Sequence, residues 1–184
     1  LGQVTIEGEV FQEVMLSGHF LPNDEGAPNL PGNGRFIALP AGADARIELL
    51  ETETDTLHGI RVPPAPEILT DTDPGPPQRI MDPAIYGSDS FYPKEMVGLS
   101  EPYSIRGIDA VMLGVVPFQY NPVSKTLVIC KTMKIGIRFD GGTGEYGDPR
   151  LMSRWWKPIL ADLFLNEPDL PEILDSPLDT KNSE

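Results

Sequence analysis

The sequence predicts a mainly β fold, and three observations carry that prediction. Glycine and proline together supply 38 of the 184 residues, a density that favours turns and short strands over long helices. Apolar residues alternate with polar ones over several stretches, most clearly in the return run from Leu127 to Phe139, as strands with one buried face require. Between the two most apolar runs lies Tyr120-Asn121-Pro122-Val123-Ser124-Lys125, a compact turn signal that joins them as an antiparallel hairpin. A hydrophobic fraction of 40% supports a globular body, and the length suits one ordinary domain, with or without appendages.

Residues 2–20 alternate in character and read as one or two strands. A loop rich in Asn, Gly and Pro follows at 21–34. "RFIALPAGADARIELLETE" then reads as two short strands around Pro40-Ala41-Gly42-Ala43-Asp44, with "LHGIRV" as a further strand. From Pro63 to Pro93 run 31 residues that include eight prolines. Proline fixes φ and removes a backbone donor, so this stretch is neither a central strand nor a helix. Loops of that length are uncommon in compact domains unless they are functional or disordered. Its length alone marks it as the segment with the best claim to a function.

Ile108 to Tyr120 is apolar on both faces, as in a strand buried between layers, and Pro117 predicts an edge position or a bulge. On the return strand Leu127, Ile129, Met133, Ile135, Ile137 and Phe139 share one face, with Lys134 and Arg138 on the other. After the glycine-rich "DGGTGEYGD" the period becomes helical, through Leu151, Met152, Trp155, Trp156, Ile159, Leu160, Leu163 and Phe164. Asp148 is placed to cap that helix with Pro149 at its first position, and Pro158 is expected to kink or split it. The tail from Glu167 is acidic, proline-punctuated and linker-like.

The formal net charge is −14, of which residues 1–92 hold −11 and residues 93–184 hold −3. Such a chain repels phosphate backbones and anionic membrane surfaces, which argues against nucleic acid and membrane partners. The charge serves either solubility or the steering of a basic partner. No apolar run approaches the ~20 residues of a bilayer span. The chain begins inside a strand-like "LGQVTIEGEV", as a mature or trimmed chain would. One cysteine, Cys130, excludes an internal disulfide and leaves the redox compartment unread.

Few residues carry chemistry. With only His19 and His58, metal clusters and most acid–base constellations lack parts, and no cofactor or metal site is expected. His58-Gly59 and Cys130 invite comparison with the His-Gly and Ala-Cys dyad of caspase-like peptidases. However, His58 follows the polar "TETDT", Ile129 stands where alanine belongs, and the prolines between them leave no helix for a parallel crossover. Cys130 falls on the more polar face of its strand, as a partly exposed structural thiol with nothing nearby to lower its pKa. The carboxylate pairs Glu51/Glu53 and Asp71/Asp73 read as solvated. The glycines of "DGGTGEYGD" lack a strand–helix phosphate context, and Trp155-Trp156 reads as core packing ahead of a ligand-stacking platform.

One long pattern does resemble a known family. Phe91-Tyr92-Pro93-Lys94-Glu95, Arg106-Gly107 and Pro117-Phe118-Gln119-Tyr120-Asn121-Pro122 are similar to the "FFPGE", "RG" and "P.QYNP" motifs of the N-terminal prodomain (propeptide) of gingipain-type cysteine peptidases. Gly26-Ala27-Pro28-Asn29-Leu30-Pro31 is similar to that family's "GxPxLP", and "FIALPAGADARIELLE" to the strand–turn–strand after it. The likeness covers roughly residues 2–140. Lys94 departs from the usual glycine, and Cys130 from an aromatic.

The resemblance implies an antiparallel, jelly-roll-like β-sandwich prodomain over 1–141, with 62–94 as its extended loop. It implies a helical connector at 148–166 and an acidic linker at 167–184 toward a catalytic domain outside these residues. By the same likeness the chain is a secreted or cell-surface, non-enzymatic zymogen piece, monomeric when isolated. Its partner is the cognate caspase-like cysteine peptidase domain of the same precursor, which it keeps latent and helps to fold. An extended loop fills the cleft in a substrate-like manner, and the inhibitory candidates are Leu69, Thr70, Asp71, Thr72 and Arg79. Where arginine-specific members place a loop arginine, alignment through "PPAPEILTD" puts Asp71, with Arg79 as the alternative. The rival readings are a carbohydrate- or protein-binding β-sandwich module, and a stand-alone hydrolase using Cys130.

Overall fold

The computed structural model describes residues 1–18, 24–69, 75–148 and 155–166. Its elements are β1 (Gly2–Ile6), β2 (Glu9–Glu13), β3 (Asn33–Ala38), β4 (Ala43–His58), α1 (Pro83–Tyr86), β5 (Val97–Leu99), β6 (Tyr103–Ile105), β7 (Ile108–Val115), β8 (Phe118–Asn121), β9 (Thr126–Gly141) and α2 (Lys157–Leu163). The architecture is mainly β. β1 pairs with β2; β7 lies between β3 and β5 and also pairs with β6; β9 lies between β4 and β8. The β1–β2, β6–β7 and β8–β9 pairs are antiparallel. Two compact units share the chain: Leu1–Asn33, Leu49–Val97 and Val115–Lys134 form the first, and Gly34–Glu48, Gly98–Gly114 and Ile135–Glu184 the second.

The first unit is built around Val14, Leu30, Val62, Phe118, Tyr120 and Leu127, with Leu57, Ile60, Tyr86, Tyr92, Val116 and Ile129 packed against them. Of the residues read as one or two strands at 2–20, Gly2–Glu13 form the β1–β2 hairpin, turned by Glu7 and Gly8 at φ 51° and 83°, and His19 and Phe20 lie outside the described residues. Two successive positive φ values match the twist of the flanking strands. At Pro117 the long apolar run breaks into β7 and β8, and the Pro117 carbonyl accepts from Cys130 N at 2.9 Å. The β8–β9 hairpin sets Phe118 opposite Ile129 and Tyr120 opposite Leu127.

Several expectations are corrected here. β4 is a single strand of 16 residues rather than a short one. Leu49 to Thr56 is exposed throughout, and charge substitutes for burial: Lys134 pairs with Glu51, and Lys131 with Glu53 and Asp55. "LHGIRV" is not a further strand, because Gly59 at φ 73° ends β4 after His58. The proline-rich stretch does hold a helical turn, α1, capped by Asp82, whose carboxylate accepts from Ala84 N, with Pro83 in its first turn. A proline there forfeits only a donor that no helix would use. Cys130 is buried, not partly exposed, and its Sγ donates to the Thr132 carbonyl at 3.2 Å.

The second unit encloses Ala38, Ile108, Ala110, Leu160 and Phe164, with Phe36, Ile105, Tyr146, Trp156 and Leu163 around them. Arg106-Gly107 supplies both left-handed residues of the β6–β7 turn, at φ 54° and 78°, which accounts for the "RG" motif. Pro158 lies in the first turn of α2 and starts the helix instead of splitting it. Pro149, the expected N1 residue, lies outside the described residues. Beyond α2, Leu165 N donates to Phe36 O, and the Asn166 amide exchanges two 2.9 Å bonds with the N–H and carbonyl of Ala38. The tryptophans do not form one buried stripe: Trp155 is 71% exposed, while Trp156 packs under the Arg106 guanidinium at 3.9 Å.

Phe164 is the largest fully buried side chain here. Phe164→Ala is expected to destabilise the chain by about 3–5 kcal/mol, read as a lower denaturation midpoint in urea.

Candidate functional site

The proline-rich stretch belongs to the first unit, and its described parts form an arm whose two ends, or feet, are held to that unit. The incoming foot is Ile60–Ala65. Val62, Pro63, Pro64 and Ala65 are buried against Ala27, Pro28 and Leu30 of the "GAPNLP" segment. Asn29 N donates to Pro63 O at 2.9 Å, Ala65 N to Ala27 O at 2.7 Å, and Gly26 N to Ala65 O at 3.2 Å. Because Pro63 and Pro64 have no N–H, this pairing runs through carbonyls and the few remaining donors.

The outgoing foot returns to the same platform. Asp82 N donates to Gly26 O at 3.0 Å, and Glu67 N to Gln78 O at 2.8 Å across the neck. Gly26 sits at φ 77°, and a Cβ there would stand 2.7 Å from Ile80 O and 3.2 Å from Asp82 N. Only glycine fits between the two feet, which gives the leading glycine of the "GxPxLP" likeness a physical role.

Side chains supply the donors that the prolines lack. Tyr86 Oη donates to Val62 O and Tyr120 Oη to Ile60 O, each at 3.0 Å. Tyr92, which is preceded by Phe91 and joined to Pro93 by a cis bond, pairs through its backbone with Tyr120 in both directions and donates from Oη to Asp24. Gln119 Nε2 donates to the Pro93 and Lys94 carbonyls at 3.0 and 2.9 Å. Asn121 Nδ2 donates to Asp89 at 2.9 Å, while its Oδ1 accepts from Val123 N and Ser124 N to close the turn. Each of Gln119, Tyr120 and Asn121 therefore ties down the chain flanking the arm.

Between the feet most of the described residues are exposed. Pro66–Leu69 and Gly75–Gln78 belong to no strand or helix, and Ile68 is 69% exposed. Of the candidates named from sequence, Leu69 is partly buried on this stretch, and Thr70, Asp71 and Thr72 lie outside the described residues. Arg79 lies at the base. Its Nη1 donates to Pro64 O at 3.2 Å, and its Nη2 pairs with Glu13 of β2 at 3.5 Å. With Ile6, Phe11, Pro64, Ile80 and Met81 it lines a cleft of about 410 Å³.

The other chemical candidates among the described residues are not brought together, and His19, Asp71 and Asp73 lie outside them. His58 Nδ1 lies 3.3 Å from Thr126 Oγ1, and the Cys130 thiol is turned to its own strand. Glu51 and Glu53 are engaged by Lys134 and Lys131. Among the described residues no group of three or more His, Cys, Asp or Glu is placed to hold a metal ion.

A family model described as Propeptide_C25 matches residues 1–148. The chain belongs to the C25 propeptide family. Lys-gingipain of Porphyromonas gingivalis is 24% identical over 171 residues, covering 89% of this chain and 10% of that protein. Gingipain R2 of the same organism is 25% identical over 127 residues, covering 67% and 17%. The chain thus spans less than a fifth of either relative. Its fold is similar to one in a solved complex of the Porphyromonas gingivalis RgpB pro- and mature domains, with TM-score 0.74, 22% identity, and 90% of this chain and 85% of that chain covered. A structure of gingipain K from the same species, concerned with its zymogenic latency, matches with TM-score 0.63 and 22% identity, covering 76% and 80%. As a propeptide the chain is a non-catalytic part.

The role of the "GAPNLP" platform is not marked by sequence chemistry. Its one signal is a glycine ahead of two prolines, next to a proline-rich stretch that needs partners. Gly26→Ala is expected to destabilise the fold by about 1–3 kcal/mol, and proteolysis at the arm should accelerate. The tyrosines give a second measurement. Burial, then the hydrogen bond and charge of Asp24, push Tyr92 up to about 12, and burial, then Tyr120, raises Tyr86 as well. The folded state favours the neutral phenols, so their stabilising contribution is complete below about pH 10. It should be lost as pH rises through 10 toward 12, read as unfolding coincident with tyrosinate absorbance.

Proposed function

We propose that this propeptide is the inhibitory and folding-assisting prodomain of a secreted or cell-surface gingipain-like cysteine peptidase. It keeps the zymogen latent by laying the arm in the active-site cleft of the peptidase domain of the same precursor. The observation that carries this reading is the pair of feet fixed to a buried platform, with the described residues between them, 66–69 and 75–78, in no strand or helix and mostly exposed. Extended backbone with free donors and acceptors can pair with a cleft edge, as substrates do. Fixed feet lower the conformational entropy lost when the arm is ordered in the cleft. Membership in the propeptide family supports the assignment, and so do the similar folds in a pro- and mature-domain complex and in a structure concerned with zymogenic latency.

Within the arm, Leu69, Thr70, Asp71 and Thr72 are the residues proposed to enter the cleft, with Asp71 at the specificity pocket. Asp71 then matches an enzyme whose pocket accepts an acidic side chain. The folding role follows from the same surface, since a stable β body that binds the native cleft favours the native peptidase by mass action.

Replacing residues 68–77 with a short Gly-Ser linker keeps both feet. It should raise the inhibition constant toward the cognate peptidase domain about 100-fold or more, while the melting temperature of the chain stays close to its parent value. An unchanged inhibition constant would remove the arm from the mechanism.

A further inference from the structure

Arg79 bridges three segments at the base of the arm. It stands on the outgoing foot, donates to the carbonyl of Pro64 on the incoming foot, and pairs with Glu13 on the β1–β2 hairpin. Both side chains are mostly covered, at 25% and 31% exposure. The incoming foot is short of donors, because Pro63 and Pro64 have none, so a guanidinium reaching across supplies what the backbone cannot. Glu13 is in turn held in place: it stands opposite Gly2 at the end of the β1–β2 ladder. The same hairpin grips the incoming foot again through Arg61, which pairs with Glu9 and lies over Phe11 at 4.7 Å.

We propose that Arg79 and Glu13 form a latch that ties the two feet of the arm together at its base, and that Arg79 is a positioning residue rather than the side chain that fills the enzyme's pocket. The proposal rests on the inhibitory reading above and adds the means by which the arm is kept ready. An arm latched at its base meets the cleft already near its bound shape, so less ordering entropy is lost on docking. Once unlatched, the feet keep their backbone contacts to Gly26 and Ala27 but lose the side-chain tie between Arg79 and Pro64.

The test uses Arg79→Met, which keeps the stem and removes the donors, Arg79→Lys, which keeps charge and a donor, and Glu13→Gln, which keeps shape without charge. Two quantities are read on each: the rate at which an unrelated endopeptidase nicks the free chain between residues 66 and 78, and the inhibition constant toward the cognate peptidase domain. R79M should speed nicking and weaken inhibition about tenfold, the size of one charge-assisted hydrogen bond, with little change in melting temperature. R79K should recover most of both losses. E13Q should reproduce part of the R79M effect and add nothing to it in the double variant, because the two residues act as one unit.

Faster nicking with unchanged inhibition overturns the latch as a positioning device, and so does no change in either quantity. Abolished inhibition with unchanged nicking makes Arg79 the pocket-filling residue, and the latch is rejected. If R79M does not fold, R79K and E13Q carry the same comparison. The linker replacement separates the two readings, since the arm assignment fails only if inhibition survives loss of residues 68–77.

Discussion

A segment built from prolines can offer carbonyls but few N–H groups, and the organisation of the first unit follows from that imbalance. The chain around the arm exposes the oxygens of Ile60, Val62, Pro63, Pro64, Pro93 and Lys94, and each is met by a donor from elsewhere. Only one of those donors, Asn29 N, belongs to the backbone. The others are a guanidinium, a carboxamide and two phenols, side chains long enough to cross from a neighbouring element and carry a hydrogen at the end. Buried carbonyls left without partners would each be destabilising by about 1–3 kcal/mol. The donors around the arm are therefore a structural necessity of using proline to stiffen it.

This constraint also explains why the densest family motif lies in a hairpin with no reactive chemistry. Gln119, Tyr120 and Asn121 occupy a strand whose backbone is already satisfied by β9 and by Tyr92. Their side chains are free to reach outward, to Pro93 and Lys94, to Ile60 and to Asp89. The hairpin thus converts the rigidity of a sheet into fixed attachment points for chain that has no sheet of its own. The tyrosine ring also belongs to the core, so burial of its apolar body and placement of its hydroxyl reinforce each other.

Much of this was legible in the residues before any coordinates. The turn at Tyr120–Lys125, the break at Pro117 and the long proline-rich stretch are local signals, set by φ restrictions and missing donors. What escaped reading depends on partners distant in sequence. β4 is long because lysines of β9 neutralise its acidic side chains, so the strand persists through the exposed Leu49–Thr56, beyond the point where its covered apolar face fades. Cys130 is buried although its strand position is polar, because Pro117 and Thr132 pack and bond around it. Pro158 begins α2 because the helix starts later than its apolar spacing suggests. Arg79 was legible only as an alternative pocket-filling residue; its pairing depends on Glu13, many residues earlier, being brought beside it.

One detail of the second unit bears on how such a chain behaves when crowded. Strand β3 ends its sheet, and the terminal strand of any sheet is a template on which another molecule can continue the ladder. At Ala38 that template is taken. The Asn166 carboxamide presents one hydrogen and one lone pair in the same spacing as a peptide unit, and it uses both the amide and the oxygen that an incoming chain would seek. The Leu165 N–H likewise occupies the Phe36 carbonyl. Polymer growth from this rim would first have to displace covalently attached competitors at very high local concentration, so the segment after α2 serves as a built-in terminator of intermolecular β-stacking.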